Sequence, residues 1–167
     1  MDSGPLFLYL AHLAVHSANP YDPLQISSKI LQKFAYIKDE KRRKFAGMLF
    51  KLDQSVGEIV QSLARKNMLK NSVIVFTTDN GGPAAGFDLN AASNWPLRGV
   101  KSTLWEGGIR GAAFIWSPWL KKSGTVENEC ISSITDWLPT LYSAAGNFAL
   151  INSEVGLKQH RSVKTVP

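Results

Sequence analysis

The chain has 167 residues, 44% of them hydrophobic and 19% charged, the balance of a folded domain and not of a disordered tail. That length supports one domain with a core, and no apolar run approaches the roughly 20 residues that cross a bilayer. A net charge of +6 favours an anionic partner, but no nucleic-acid-binding motif accompanies it, and a single cysteine excludes an internal disulfide.

The opening Met1–Pro5 carries neither the basic nor the apolar stretch of a secretory leader. Leu6 to Leu10 reads as a fully buried strand, followed by a loop that holds His12 and His16. Pro20 and Pro23 mark irregular chain, and Ser27 to Lys33 predicts a short helix. From Lys41 to Lys66 the apolar residues Phe45, Met48, Leu49, Leu52, Val56, Ile59, Val60 and Leu63 recur at helical spacing. That helix leaves Lys51, Gln54, Glu58 and Arg65 to water, with Met48 as core filler and Asp53 outside any site. Gly47 and Gly57 cost it on the order of 1 kcal/mol each, which points to close packing. The basic cluster Lys38, Lys41, Arg42, Arg43 and Lys44 reads as the solvated start of the same helix.

Val73 to Thr77 is a β-branched apolar strand. With the first strand and the long helix it makes a parallel strand–helix–strand unit with a right-handed crossover. It ends in Asp79-Asn80-Gly81-Gly82. An acid and an amide at the rim of an α/β sheet offer one charged and one neutral oxygen, suited to a hard cation such as Ca²⁺ or Mg²⁺. The glycines let the backbone turn with no Cβ in the way, and the plain alternative is an Asp-Asn-Gly turn.

Two blocks follow, Asn94-Trp95-Pro96-Leu97-Arg98-Gly99-Val100-Lys101 and Leu104-Trp105-Glu106-Gly107-Gly108-Ile109-Arg110-Gly111. Glycines mixed with tryptophans and cations suit a pocket wall that holds an anion. Taken singly, Trp95 and Trp105 suit a core and Glu106 with Arg110 a local ion pair. Gly111 to Trp116 reads as a further strand and Ile131 to Ile134 as a short one. Thr135 caps a last helix, which tolerates an early Pro139 and stops at Gly146. Phe148 to Pro167 is polar and basic without a period, a divergent and poorly ordered tail that leaves His160 without a role.

Over residues 5 to 147 the chain resembles the type I sulfatases, and within them arylsulfatase B (N-acetylgalactosamine-4-sulfatase) and its relatives. The likeness rests on Pro5 to Ala11 with Val15-His16, Tyr36-Ile37 through Val56-Gly57, Thr78 to Gly82, Asn94 to Gly111, and Thr135 to Leu141. It implies an alkaline-phosphatase-like α/β sandwich, here an incomplete, mostly parallel sheet flanked by helices, with 1–147 as part of a catalytic domain and 148–167 as the tail. It further implies that Asp79 and Asn80 are Ca²⁺ ligands, that His16 and Lys101 contact the sulfate of a sulfated sugar or aryl sulfate, and that His12 is a surface or packing residue. The family location is lysosomal or secreted.

The sequence departs from that pattern in three places. His16-Ser17-Ala18-Asn19 stands where the family usually has His-Glu-Pro or a similar sequence, so the histidine is kept and the residues after it differ. No Cys-x-Pro-Ser-Arg motif is present for conversion to the formylglycine nucleophile, and Cys130, in Asn128-Glu129-Cys130-Ile131-Ser132, reads as a buried small hydrophobe. The paired aspartates that complete the calcium shell are missing as well. Three readings follow: a sulfatase portion inactive by itself, a non-catalytic chain that binds sulfated glycan or a partner, and a related phosphate-ester hydrolase.

Overall fold

The computed structural model describes residues 4–121, 124–126 and 133–146. Contacts divide the chain into two units, 1–119 and 120–167.

The first unit is built around one long helix. A short helix α1 (Ser28–Gln32) leads to α2 (Glu40–Arg65). Asp39 starts α2 by accepting a hydrogen bond from the Arg42 N–H at 2.7 Å, which satisfies one of the donors that a helix start leaves open. Asn67 stops it: at φ 57° it turns left-handed, and the Met68 and Asn67 N–H groups bond back to Leu63 and Ala64, a double closure of the last turn. Leu52 is buried on its apolar side and Lys51, Gln54, Glu58 and Arg65 are exposed, as the periodicity predicts.

Gly47 has the close-packing role its cost implies, since an added Cβ would lie 2.9 Å from the Ile26 Cγ1. Gly57 does not, because no atom lies within 4 Å of that position. The basic cluster is largely spent on structure. Arg42 donates to the Ala91 carbonyl, Arg43 to Ile37 and Lys38 carbonyls, and Lys44 lies 3.7 Å from Glu40 and 4.0 Å from Asp22.

Strand β1 (Ile74–Thr77) pairs antiparallel with β2 (Ala113–Trp116). Phe76 faces Phe114 across the ladder, their rings stacked 5.4 Å apart, the cross-strand aromatic contact that stabilises such a pair. The expected parallel unit does not form among the described residues. Leu6 to Leu10 is not a strand, and all five residues are exposed, Tyr9 by 82%. Its apolar composition signals a preference for burial, but a strand also needs a backbone partner, and β1 pairs only with β2 among the described residues.

In the second unit a 3₁₀ turn (Ile134–Asp136) runs into the helix Trp137–Ala144. The cap belongs to Ser133, not Thr135: its hydroxyl accepts from the Thr135 N–H, and Asp136 accepts from the Ser133 N–H at 3.1 Å. Gly146, at φ 88°, closes the end as expected. Ile134 lies in that turn and Ser133 just before it, while Cys130, Ile131, Ser132 and the 148–167 tail fall outside the described residues.

Candidate functional site

The turn after β1 is held by the two glycine-rich blocks. The second block contains helix α3 (Glu106–Ile109), a single turn whose Gly107 and Gly108 are buried. The Gly81 N–H donates to the Gly108 carbonyl at 2.9 Å, and the Gly107 N–H to Arg98 at 2.7 Å. A Cβ on Gly81 would fall on the Gly107 carbonyl oxygen, so glycine is required here for close approach of two backbones.

Asn94 completes the clamp. Its Oδ1 accepts from the Gly82 N–H at 2.8 Å, and its Nδ2 donates to the Gly82 and Gly99 carbonyls at 2.7 and 3.1 Å. The same Gly82 carbonyl accepts from the Lys101 N–H at 3.2 Å. One peptide group therefore joins the Asp79-Asn80 turn to the Lys101 segment.

The three cations of these blocks have different surroundings. Arg98 stacks on Trp105, 3.7 Å from the ring centroid, and Arg110 lies 3.5 Å from Glu106, the local pair that the sequence suggests. Lys101 alone of the three lines a pocket of about 360 Å³, together with His16, Ser17, Asn19, Asp88 and Leu89. Its Nζ lies 3.2 Å from His16 Nε2 and 3.1 Å from Asp88 Oδ2. His16 Nδ1 is 2.7 Å from the Ser17 carbonyl. A carbonyl only accepts, so the ring proton sits on Nδ1 and the Nε2 lone pair accepts from the ammonium. The structure thus brings His16 and Lys101 together across 85 residues of chain.

Asn90 sets the position of the His16 loop. It is 3% exposed, donates to the Val15 carbonyl and the Ser17 hydroxyl at 3.2 and 3.0 Å, and accepts from the Ala92 N–H at 2.9 Å. His12 is exposed, 3.4 Å from Ser55 on α2, a surface contact in keeping with its sequence reading. Trp95 is not core: it is 88% exposed beside the clamp, and Trp105 is half exposed under Arg98.

Asp79 is exposed and Asn80 half-buried. Asn80 donates its amide N–H to the Gly81 carbonyl at 2.7 Å, which leaves its side-chain oxygen as the acceptor directed elsewhere. No ion pair among the described residues involves Asp79. Two hard oxygen donors on one turn fit part of a Ca²⁺ shell, which needs six to eight oxygens. No group of three or more His, Cys, Asp or Glu among the described residues could hold a metal ion by itself. Asp88 and Asn90 do not figure in the sequence reading and Asn94 has no role of its own there, although the Asn-Trp-Pro and Asp-Leu-Asn contexts mark turns where such side chains bond backbone.

The turn that ends β1 carries Asp79 and Asn80 and is hydrogen-bonded to the segment that carries Lys101, whose side chain meets His16 in a pocket. Comparison with known proteins makes this specific. The Sulfatase family model matches residues 1–147. Arylsulfatase J of Mus musculus is 46% identical over 142 residues, covering 84% of this chain and 22% of that protein. N-acetylgalactosamine-6-sulfatase of Rattus norvegicus is 32% identical over 143 residues, with 86% and 25% covered. The crystal structure of Ps i-CgsB in complex with k-i-k-neocarrahexaose superimposes with a TM-score of 0.67 at 33% identity, over 76% of this chain and 27% of that one. The chain belongs to the sulfatase family and carries its alkaline-phosphatase-like α/β fold, and it spans about a quarter of the length of these relatives.

Proposed function

We propose that this chain supplies the anion-binding side of a sulfuric ester hydrolase, in which His16 and Lys101 grip the sulfate and Asp79 and Asn80 give oxygens to Ca²⁺. The observation that carries this is the 3.2 Å approach of Lys101 Nζ to His16 Nε2 inside a pocket. Lys101 supplies charge that follows the ester oxygens as negative charge develops on them. The imidazole, fixed at Nδ1 by Ser17, holds Nε2 beside the ammonium, where it would donate to a sulfate oxygen once that nitrogen also carries a proton. The clamp of Asn94 on Gly82 holds the Lys101 backbone and the Asp79-Asn80 turn in one register. Calcium, when bound, polarises the sulfate oxygens.

The substrate class is a sulfate ester on a glycosaminoglycan sugar, and the location lysosomal or secreted. Among the described residues no helix is long and apolar enough to cross a membrane. The sequence holds no Cys-x-Pro-Ser-Arg, so the 167-residue chain by itself binds without turnover. The net charge of +6 suits a second reading, a non-catalytic chain that retains sulfated glycan.

A chimera separates the two. Residues 5–147 replace the matching segment of arylsulfatase J, and hydrolysis of a fluorogenic aryl sulfate is followed. Under the hydrolase reading the chimera is active, Asp79→Ala abolishes its calcium-dependent rate, and Lys101→Ala lowers kcat by roughly 10²–10³. A folded but inactive chimera whose segment still binds a sulfated matrix supports the second reading.

A further inference from the structure

The pocket contains a carboxylate that an anion site does not need. Asp88 Oδ2 is 3.1 Å from Lys101 Nζ, with the two side chains 39% and 26% exposed. The ion pair is held in place by unusual backbone. Ala85, Gly86, Asp88 and Leu89 all have positive φ, 56°, 83°, 54° and 54°, a conformation that costs free energy in every residue but glycine. The loop is tied down immediately afterwards by Asn90, whose buried amide bonds to the Val15 carbonyl and the Ser17 hydroxyl. Asp88 and His16 therefore approach Lys101 from two loops that one side chain fastens together.

We infer that Asp88 is a specificity-determining residue, which selects singly charged sulfate esters against doubly charged phosphate esters. Lys101 and Asp88 together are neutral, so the pocket attracts an anion through hydrogen bonds and local geometry more than through net charge. A sulfate monoester carries one negative charge. A phosphate monoester carries close to two at neutral pH, because its second pKa is about 6. Every additional charge on the ligand meets the Asp88 carboxylate at short range, in a pocket where the interaction is only partly screened. Selectivity of this kind arises from a repulsive element built against the competitor, not from better contacts to the preferred ligand. It rests on the reading of His16 and Lys101 as the sulfate-binding pair and names which esters that pair accepts.

The test is binding of p-nitrophenyl sulfate and p-nitrophenyl phosphate to the 167-residue chain at pH 7.5, followed by NMR titration of the pocket amides. Asp88→Asn removes the charge and keeps a residue that tolerates positive φ. Asp88→Gly removes it with a residue free to adopt that conformation, so a fold defect in one variant does not end the comparison. In both, the two esters bind more tightly, and the ratio of phosphate to sulfate affinity rises about tenfold. Equal gains for the two esters, or an unchanged ratio, overturn the selective role and leave the anion site standing. Failure of the sulfate ester to bind the parent chain and both variants overturns the His16–Lys101 reading itself, and this inference with it.

Discussion

The glycine-rich turn and the Leu6–Leu10 segment have similar sequence credentials and opposite outcomes. The turn is knit to its surroundings through Gly81 to Gly108, Gly82 to Asn94 and Gly82 to Lys101. Leu6–Leu10 is more apolar, yet every residue in it is exposed and none is in a strand. The difference lies in where each finds its partners. The turn's partners are at most a few tens of residues away and include polar side chains with defined hydrogen-bond geometry. The apolar segment needs a ladder and a packed face, and neither comes to it from the described residues. Hydrophobicity supplies a tendency to be buried, while directional bonds decide which neighbour is met.

The largest effect that would sharpen this contrast is expected at Gly81. Gly81→Ala drives a methyl group into the Gly107 carbonyl and destabilises the first unit by about 3 kcal/mol, read as a lowered urea midpoint at unchanged slope. A loss under about 1 kcal/mol would show that the two backbones are not in close contact.

Asn94→Ala comes next. It strips the Gly82 N–H and carbonyl of their side-chain partner, at a cost of about 2 kcal/mol, and faster hydrogen exchange at the Gly82 amide reports it directly. Normal protection there would mean that the clamp is not what holds the turn.

The smallest effect is expected at Leu8→Ala. Leu8 is 60% exposed, so its loss costs about 0.5 kcal/mol or less. A buried strand residue would cost about 2–5 kcal/mol, and a value in that range would break the contrast by restoring the strand that the sequence suggests.

Much of the fold is legible in the residues alone, and the reason is local. The 3.6-residue period of Phe45 to Leu63 places α2 within a residue or two, and the apolar run before Asp79 places β1. Asn67 as the stop of α2 is less visible, since an asparagine differs from its neighbours only by tolerating positive φ. Likewise Ser133 displaces Thr135 as cap because the 3₁₀ turn before the last helix adds a turn that periodicity does not show.

The site is legible in part. His16 and Lys101 stand out through their motif contexts, and the structure brings them to 3.2 Å. Asp88 does not stand out, because an acid in a Gly-Phe-Asp-Leu turn is ordinary until its distance to Lys101 is known. Trp95 misleads for a related reason: a large aromatic signals burial on average, and here the adjacent Asn94 clamp faces inward while Trp95 is 88% exposed.

By itself, then, the amino-acid order determined α1, α2, the last helix, the positions of β1 and β2, the glycine turn and the family, all of which depend on neighbours within a few residues or on runs of matching motifs. Only the tertiary structure decided that β1 pairs antiparallel with β2, that one of three cations lines the pocket, and that Asp88 shares Lys101 with His16. Those are choices among partners far apart in the chain, settled by which backbone groups and charges can be satisfied together.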